Sequence, residues 1–478
     1  MYNTFDQKHE ITSPAPIEPK SIQEDHKKVD DIYASLAGVA GNILEWYDFA
    51  IFGYFGDIIG KTFFPPNQGG HAALIEAFTV FGMAFLVRPV GGALIGKMGD
   101  MHGRKGALET SIFYMAIPTF LLGCLPTYAM VGWLSTALLI SVRLLQGLSV
   151  GGQFTSALVF TLERTHKSNW GFWAAAVYAA SDAGVTLGSL IASMIRDTLT
   201  EEQVESWGWR IPFWLGALGA LPAIYLRYRT EEIEVPSVDE ENEDKIYGVD
   251  EMERFTGKKD AMKSKTKGVE DPLVETLSKS NRRAFLASIL VTSLVALCYY
   301  IIFLWLVLFM QTFIDPPIPH AFTINSVNGF LGGIFLVMFG GWFADKVGDY
   351  VKISAISAIS LGILFPVALA FLGSGWDDSQ ISVTMVAFCI QFILSFFLAM
   401  LTGAMLPWLV LIFPPQIRLT SVSLGYNIAV CAWGGFSPLV ATILVNKFHA
   451  NSAPGYLVTF ASFLALVGLW IAPKTNKS

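Results

Sequence analysis

Long stretches without a single charged side chain dominate this chain. Each is long enough for the roughly 20 residues with which a helix crosses a bilayer. A soluble protein needs charged residues to cover its surfaces, yet they make up only 15% of these 478 residues, against roughly a quarter in soluble domains. We therefore expect membrane-spanning helices rather than the buried helices of a soluble domain. The charge-free windows are 110–142, 284–314, 316–344, 353–376, 379–417, 419–446 and 448–473.

The apolar pattern predicts an all-α integral membrane protein with twelve transmembrane helices in two six-helix halves. Several predicted helices exceed the length that a perpendicular crossing needs, which implies tilt or extension past the hydrocarbon. They are expected near 32–60, 72–97, 106–125, 130–162, 170–195, 209–228, 282–312, 321–344, 351–372, 380–412, 419–446 and 454–472.

Polar segments divide the chain. Residues 1–31 are polar and lack the apolar core of a signal peptide, so we expect an N-terminal tail. The first half covers 32–228 and the second covers 282–472, with a short tail at 473–478. Residues 229–281 begin acidic and become lysine-rich, which favours a solvated linker, although a regulatory role stays open.

Lysine and arginine predict the orientation, because cytoplasmic loops carry an excess of them. One side of the predicted bundle carries far more than the other, which has Lys61, Arg196 and Lys447. We therefore expect both termini and the 229–281 linker in the cytoplasm, with the chain in the plasma membrane, which in a bacterium is the inner membrane. The richer side carries Lys97, Arg104, Lys105, Arg164, Lys167, Lys346, Lys352, Arg418, Lys474 and Lys477.

A short motif occurs twice, after the second and after the eighth predicted helix. Its spacing in both places is G-x-x-small-D-x-x-G. A duplicated half is typical of transporters, because two related halves can rock about a central site. The copies are Gly96-Lys-Met-Gly99-Asp100-Met-His-Gly103 and Gly341-Trp-Phe-Ala344-Asp345-Lys-Val-Gly348.

At these residues the sequence resembles the major facilitator superfamily, whose signature loop lies between helices two and three. Small residues let helix ends approach, and Asp100 and Arg104 can then form charged bonds to neighbouring helix termini. The resemblance implies a cytoplasmic gate made by Asp100, Gly103, Arg104 and Asp345. The second copy has Asp349 where an arginine is usual, so a symmetric gate is in question.

Further segments resemble the metabolite:proton symporter family, which includes carriers of proline and betaine and of carboxylates such as citrate. The resemblance implies a proton-coupled symporter of a small organic solute. The chain departs from the family at Gln153, where a glutamate is usual, and at Asp182, which is not expected there. The matching segments are Gly41-Asn-Ile-Leu-Glu45-Trp46-Tyr47-Asp48-Phe49, Arg88-Pro-Val-Gly-Gly, Arg143-Leu-Leu-Gln146-Gly-Leu-Ser-Val-Gly151-Gly152, Arg418-Leu-Thr, Gly425-Tyr426-Asn427 and Gly434-Gly-Phe-Ser-Pro438.

Charged residues within predicted helices are functional candidates, because a charge inside a membrane is unfavourable by several kcal/mol. A carboxylate removed from water takes up a proton more readily than one in solution. We predict that Asp48 carries the proton, with Glu45 and Asp182 as further candidates. Arg88 and Arg143 suit a substrate carboxylate, which arginine binds through two parallel hydrogen bonds.

Structural explanations compete with these roles. Glu45 with Arg88, or Asp48 with Arg143, would also serve as static ion pairs between helices, and Asp182 would also suit a water-filled cavity without a role. Aromatic and amide side chains complete the predicted substrate site. For the aromatic side chains, simple packing between helices is the alternative explanation. They are Trp46, Tyr47, Gln153, Gln391 and Asn427.

Other functional classes find little support in the sequence. The four cysteines lie in apolar segments and the seven histidines form no ligand-spaced cluster, so we expect neither a metal site, nor a cofactor, nor enzymatic activity. Basic residues do not cluster with aromatics as in nucleic-acid-binding proteins. We expect a monomer in the lipid bilayer whose partners are a small-molecule substrate and protons. A proton-independent uniporter or exchanger stays open as the alternative, and a membrane sensor is the weaker one.

Overall fold

A computed structural model describes residues 36, 39–65, 72–221, 224–225, 271–374, 380–434, 436–448 and 450–474. Regular secondary structure in these ranges is entirely helical. The predicted tail 1–31 and most of the predicted linker 229–281 lie outside the described residues. The proposed domain boundaries therefore stay predictions.

The first group of helices, which we call the N-terminal group, precedes the linker. Short 3-10 or π turns occur at Lys167–Asn169, Val204–Gly208 and Gly216–Gly219, and short α-helices at Tyr128–Val131 and Glu201–Gln203. The longer helices are α1 (39–54), α2 (Gly56–Phe63), α3 (Ala72–His102), α4 (Arg104–Cys124), α5 (Trp133–Arg164), α6 (Trp170–Thr198) and α7 (Arg210–Leu215).

The C-terminal group follows a short helix at the end of the linker, α8 (Pro272–Thr276). π turns at Ile301–Trp305 and Leu331–Leu336 interrupt its first two membrane-length helices, and a 3-10 turn lies at Pro415–Ile417. The helices are α9 (Arg282–Tyr300), α10 (Leu306–Thr312), α11 (Ala321–Phe330), α12 (Val337–Val347), α13 (Tyr350–Leu372), α14 (Gln380–Leu411), α15 (Arg418–Trp433), α16 (Ser437–Phe448) and α17 (Ala453–Ile471).

Within the described ranges, nine helical runs are long and apolar enough to cross a membrane. The predicted count of twelve stays a prediction. The nine runs are Arg104–Cys124, Trp133–Arg164, Lys167–Thr198, Arg282–Gln311, Ala321–Val347, Tyr350–Leu372, Val383–Leu411, Pro415–Phe448 and Ala453–Ile471.

Two helix boundaries that the apolar pattern did not predict lie at glycines. The segment expected near 130–162 breaks at Gly132, whose φ of 58° lies in the left-handed region, and α5 begins at the next residue. In the segment expected near 419–446, α15 ends at Trp433 and Gly434 follows. Hydropathy alone cannot show such breaks, because glycine is as compatible with an apolar run as alanine is.

The two groups meet along two seams. In the first seam, α3 packs against α15; in the second, α6 packs against α12 and the π turn before it. Beside these seams α5 also contacts α15 and α6 contacts α14, whereas within the groups α3 lies along α5 and α13 contacts both α14 and α17. Functional residues held between the groups must therefore lie in or between these seams.

Candidate functional site

The signature loop closes one end of the first seam. Asp100, in the last turn of α3, accepts hydrogen bonds from the backbone N–H groups of Leu419 (3.1 Å) and Thr420 (2.7 Å). These are the unpaired N–H groups of the first turn of α15, where the helix dipole also favours an anion. The guanidinium of Arg104 donates to the same carboxylate. A buried acid of one group thus caps a helix of the other.

Two arginines and one glutamate extend this contact. Glu163, near the end of α5, accepts from Arg104 Nε at 3.0 Å and from Arg418 Nη1 at 2.8 Å. Arg104 Nη2 also donates to the carbonyl oxygen of Pro415 at 2.6 Å. We call Asp100, Arg104, Glu163 and Arg418 the latch, and the end of the bundle where it lies the latch end.

The second copy of the motif performs the same capping without an arginine. Asp345 accepts from the backbone N–H groups of Gly171 (2.7 Å) and Phe172 (2.9 Å), at the start of α6. Its remaining donor is the hydroxyl of Tyr350 at 2.7 Å. Asp349 caps its own helix by accepting from Lys352 N at 3.0 Å. Helix capping by aspartate is therefore present in both seams, whereas the ion-pair network is present in the first.

Backbone conformation and close packing explain why glycine occupies several positions of the motif. Gly103 (φ 105°) and Gly348 (φ 68°), the last residue of each copy, both adopt a positive φ that side-chain-bearing residues rarely adopt. The turn at Gly103 returns the chain so that Arg104 reaches Asp100. At the first position of the second copy, a Cβ on Gly341 would overlap the carbonyl oxygen of Gly171.

Asp48 and Arg143 form a buried ion pair inside the N-terminal group. Arg143 Nη1 donates to Asp48 Oδ2 at 3.0 Å and to Gln146 Oε1 at 2.7 Å. Gln146 Nε2 in turn donates to Asp48 Oδ1 at 3.0 Å and to Thr119 at 2.8 Å. Both carboxylate oxygens of Asp48 therefore have donors, and one arginine nitrogen is engaged with two acceptors.

Glu45 and Arg88 form a looser pair. Arg88 Nη2 lies 3.8 Å from Glu45 Oε1, and both side chains are almost completely buried. Among the described residues, the two carboxylate oxygens of Glu45 and the Nε of Arg88 have no hydrogen-bond partner. A small cavity, with about 230 Å³ of unfilled space, borders Glu45 on the side of Gln153. The carboxylate of Glu45 thus retains hydrogen-bonding capacity that the carboxylate of Asp48 has used.

A central cavity lies between the two groups and between the two seams. Its unfilled space amounts to about 460 Å³, part of it open to solvent. Arg88 supplies its permanent charge, and aromatic rings form much of its wall. The lining residues are Trp46, Arg88, Tyr178, Ser181, Thr292, Val295, Ala296, Tyr299, Tyr300, Tyr426 and Val430.

Several predicted site residues lie outside this lining. The Tyr47 hydroxyl donates to the Pro212 carbonyl at 3.0 Å, since consecutive helix residues face different directions. Gln153 Nε2 donates to Gly41 O at 2.7 Å, and Gln391 Nε2 donates to Asn325 at 2.7 Å. The amide of Asn427 binds backbone carbonyls at the first seam, those of Gly151 and Ser423. Arg143 is likewise engaged with Asp48.

Sequence reasoning missed four tyrosines of the cavity. Tyr299 and Tyr300 stand on α9, whose predicted counterpart carried no charge beyond its first turn to draw attention. Tyr178 is on α6 and Tyr426 on α15, and Tyr426 was noticed only as part of a motif. Phenolic side chains in otherwise aliphatic helices are a usable signal, because a buried hydroxyl needs a partner.

The sequence profile of the Major Facilitator Superfamily matches residues 40–416. The chain belongs to the Major Facilitator Superfamily. It is a multi-pass membrane transporter, and the predictions of the superfamily and of its helical fold are confirmed.

Curated relatives agree with this assignment. A citrate-proton symporter of Salmonella typhi is 28% identical over 433 residues, which cover 91% of this chain and 92% of the relative. A putative proline/betaine transporter of Staphylococcus haemolyticus is 29% identical over 436 residues, covering 89% of this chain and 84% of the relative. Both kinds of carrier are those that the resemblance implied.

Solved structures show the same fold. The proton:xylose symporter XylE bound to 6-bromo-6-deoxy-D-glucose matches with a TM-score of 0.69 at 17% identity, covering 94% of this chain and 96% of XylE. The transporter FucP in the outward conformation matches with a TM-score of 0.60 at 13% identity, covering 92% of this chain and 100% of FucP. At these identities the likeness concerns the fold alone.

Proposed function

We propose that this transporter is a secondary active symporter that couples proton entry to uptake of a small carboxylate or zwitterion by alternating access. The observation that carries the proposal is Arg88, a buried arginine on the wall of the central cavity whose Nε has no hydrogen-bond partner among the described residues. Arginine in such a position suits a carboxylate, which can accept two parallel hydrogen bonds.

The aromatic wall suits the remainder of such a substrate. Trp46 and Tyr299 have ring centroids 6.5 Å apart, and Tyr299 and Tyr300 lie 5.4 Å apart. Rings of this kind bind both apolar groups and weakly hydrated cations. Because the enclosed space is small, the site suits a compact solute rather than a large one.

Two buried acid–arginine pairs support proton coupling. A proton on Asp48 would remove the negative charge that Arg143 neutralises, so that the pair would loosen and α1 could move relative to α5. Glu45 shares Arg88 with the cavity. A substrate carboxylate that binds Arg88 would compete with Glu45, and protonation of Glu45 would relieve that competition. We assign the first role to Asp48 and the second to Glu45.

The latch supports alternating access. Asp100 and Asp345 each cap a helix of the opposite group, so both seams are closed at the latch end. We place this end in the cytoplasm of a bacterial inner membrane, with both termini on that side, because the excess of lysine and arginine lies there. Opening toward the cytoplasm then requires both caps to break. We expect a monomer to be sufficient for transport.

One observation favours a second candidate, a proton-independent uniporter or exchanger. Gln153 donates through its amide to the backbone of α1, at a place where the resemblance implies a glutamate. A neutral amide there cannot titrate. If Asp48 and Glu45 are static partners of their arginines, transport would follow the substrate gradient alone.

Uptake into liposomes tests the proposal. The purified protein is reconstituted, an inward proton gradient is imposed, and uptake of labelled proline, glycine betaine, citrate and 2-oxoglutarate is measured. Accumulation of one solute beyond equilibration, abolished by collapsing the gradient, supports symport. Uptake that equilibrates and ignores the gradient supports the second candidate. Transport of none of these solutes contradicts the proposed substrate class.

A further inference from the structure

Asp182 joins the two groups of helices at the level of the central cavity. The Tyr299 hydroxyl, on α9, donates to Asp182 Oδ1 at 3.1 Å. On the second seam, a Cβ at Gly333 would overlap the carboxylate. The missing side chain of Gly333 therefore makes room for Asp182, which is built into the interface between the groups.

The charge of Asp182 has no counterpart in the part of the chain that the structure describes. Although the residue as a whole is partly exposed, its Oδ2 atom is inaccessible and has no hydrogen-bond partner within that part. Among the residues that the structure describes, no lysine, arginine or histidine forms an ion pair with it. A buried carboxylate without a cation is unfavourable by several kcal/mol, so it requires either a proton or a positively charged ligand.

Asp182 lies directly behind the aromatic wall. Its helix neighbours Tyr178 and Ser181 line the cavity, as does Tyr299, to which it is bonded. Since the Tyr299 hydroxyl donates to the carboxylate, negative charge is concentrated beside the ring. The Tyr178 and Tyr299 rings are nearly perpendicular, with centroids 6.4 Å apart, and a cation over the face of either ring would be attracted by it.

The position of Asp182 complements that of Arg88. Arg88 is on α3, the helix of the first seam, and Asp182 is on α6, the helix of the second. Because the cavity lies between the seams, its two flanks carry opposite charge. A citrate-like polyanion would meet one favourable flank, whereas a molecule with separated positive and negative ends would meet two.

We propose that Asp182 and Tyr299 form the subsite for the positively charged end of a zwitterionic substrate, whose carboxylate binds Arg88. The inference rests on the proposed function and names the substrate class within it. Asp182 acts here through Tyr299 and the cavity field, as a specificity-determining residue and not as the proton carrier.

Two ligands of nearly the same shape, one with and one without a positive charge, show how much that charge contributes to binding. Glycine betaine carries a trimethylammonium group where 3,3-dimethylbutyrate carries a neutral tert-butyl group. Binding of each to the purified protein is measured by titration calorimetry at pH 7.5. Wild type is expected to prefer glycine betaine by about tenfold or more. In Asp182→Asn that preference should vanish through weaker binding of glycine betaine, with binding of 3,3-dimethylbutyrate unchanged.

Further variants separate this result from misfolding. Tyr299→Phe should reduce the preference without abolishing it, and Asp57→Asn, which alters an exposed pair with Arg196, should leave it intact. Each variant is first compared with wild type by size-exclusion chromatography. Unchanged binding of 3,3-dimethylbutyrate in Asp182→Asn itself shows that the cavity is formed.

The outcomes distinguish this inference from the proposed function. If Asp182→Asn keeps the full preference for glycine betaine, Asp182 is neutral in the protein and the inference is wrong, while symport stands. If wild type accumulates citrate with protons and binds no zwitterion, the inference is again rejected alone. If wild type transports none of the tested solutes, both are rejected.

Discussion

Arg143 Nη1 lies 3.0 Å from Asp48 Oδ2, and both side chains are inaccessible to solvent. Such a pair is stable only while both partners are charged, because removal of one leaves the other buried alone. The pair thus ties the position of α1 relative to α5 to the protonation of Asp48.

Asp48→Asn is therefore expected to uncouple transport from the proton gradient. The variant should lose gradient-driven accumulation in liposomes, while exchange of labelled for unlabelled substrate persists. Glu45→Gln provides the comparison for the second acid. Persistent accumulation in Asp48→Asn together with its loss in Glu45→Gln would reverse the roles assigned to the two carboxylates.

Arg88→Lys should weaken substrate binding while preserving the charge. Lysine cannot offer two parallel hydrogen bonds to a carboxylate, so we expect KM to rise about tenfold with a smaller change in kcat. Arg196→Lys, in an exposed pair away from the cavity, is the control. An unchanged KM in Arg88→Lys would argue against carboxylate binding at this residue.

Asp100→Asn should open the latch end. The substitution removes the anion from the α15 N-terminus and from Arg104. A Ser423→Cys reporter in a background without the four native cysteines should then react with a maleimide about tenfold faster, because Ser423 lies in the closed first seam bonded to Thr155. Asp349→Asn, which alters a cap within a single helix, should leave the rate unchanged. Equal rates in both variants would show that Asp100 does not hold the seam.

Gly341→Ala should prevent closure of the second seam. The added methyl group overlaps backbone of α6, where neither partner can turn a side chain away. We expect uptake to fall on the order of tenfold and the Ser423→Cys reporter to react faster. Gly53→Ala is the matched control, because an added Cβ there would have no described neighbour within 4 Å beyond its own helix backbone. Normal uptake in Gly341→Ala would mean that the helices approach less closely in the membrane.

The contact between the linker end and α3 should respond to acid. Lys97 Nζ lies 2.7 Å from Asp271 Oδ2, and this hydrogen bond, assisted by the backbone N–H of Leu273, lowers the pKa of Asp271. The contact therefore stabilises the folded protein above the unfolded-state pKa of aspartate, about 3.9, and is lost as pH falls through the lower folded value. Thermal unfolding of wild type and Asp271→Asn should differ slightly at pH 6 and begin to converge as pH falls below about 4. A difference that persists in acid would exclude this ion pair as its cause.

The helical fold could be predicted because each membrane crossing leaves a local signal, a run of apolar residues. Asp100 and Arg104 of the latch could also be predicted from a local signal, because they belong to a short motif that occurs twice in the sequence. Glu163 entered it unpredicted, because its partners Arg104 and Arg418 are brought together only when the two groups pack. The sequence suggested Asp48–Arg143 and Glu45–Arg88 as pairs, and the structure contains both.

The cavity was harder to predict. Trp46 and Tyr47 are adjacent in sequence, yet one lines the cavity and the other bonds to Pro212. Helical periodicity shows that the two side chains point in different directions, but it does not indicate which of them faces the C-terminal group. Asp182 was noticed as an unusual residue, but its partner Tyr299 lies more than a hundred positions away, in a stretch of α9 without charges.

The crossed arrangement of the two capping aspartates has an evolutionary consequence. Asp100 completes a helix of the C-terminal group, and Asp345 completes a helix of the N-terminal group. Each half of the sequence therefore contains a helix N-terminus that is capped by an aspartate of the other half. Two halves that are joined in this way cannot change independently, since a substitution of either aspartate removes a helix cap from the half that did not change.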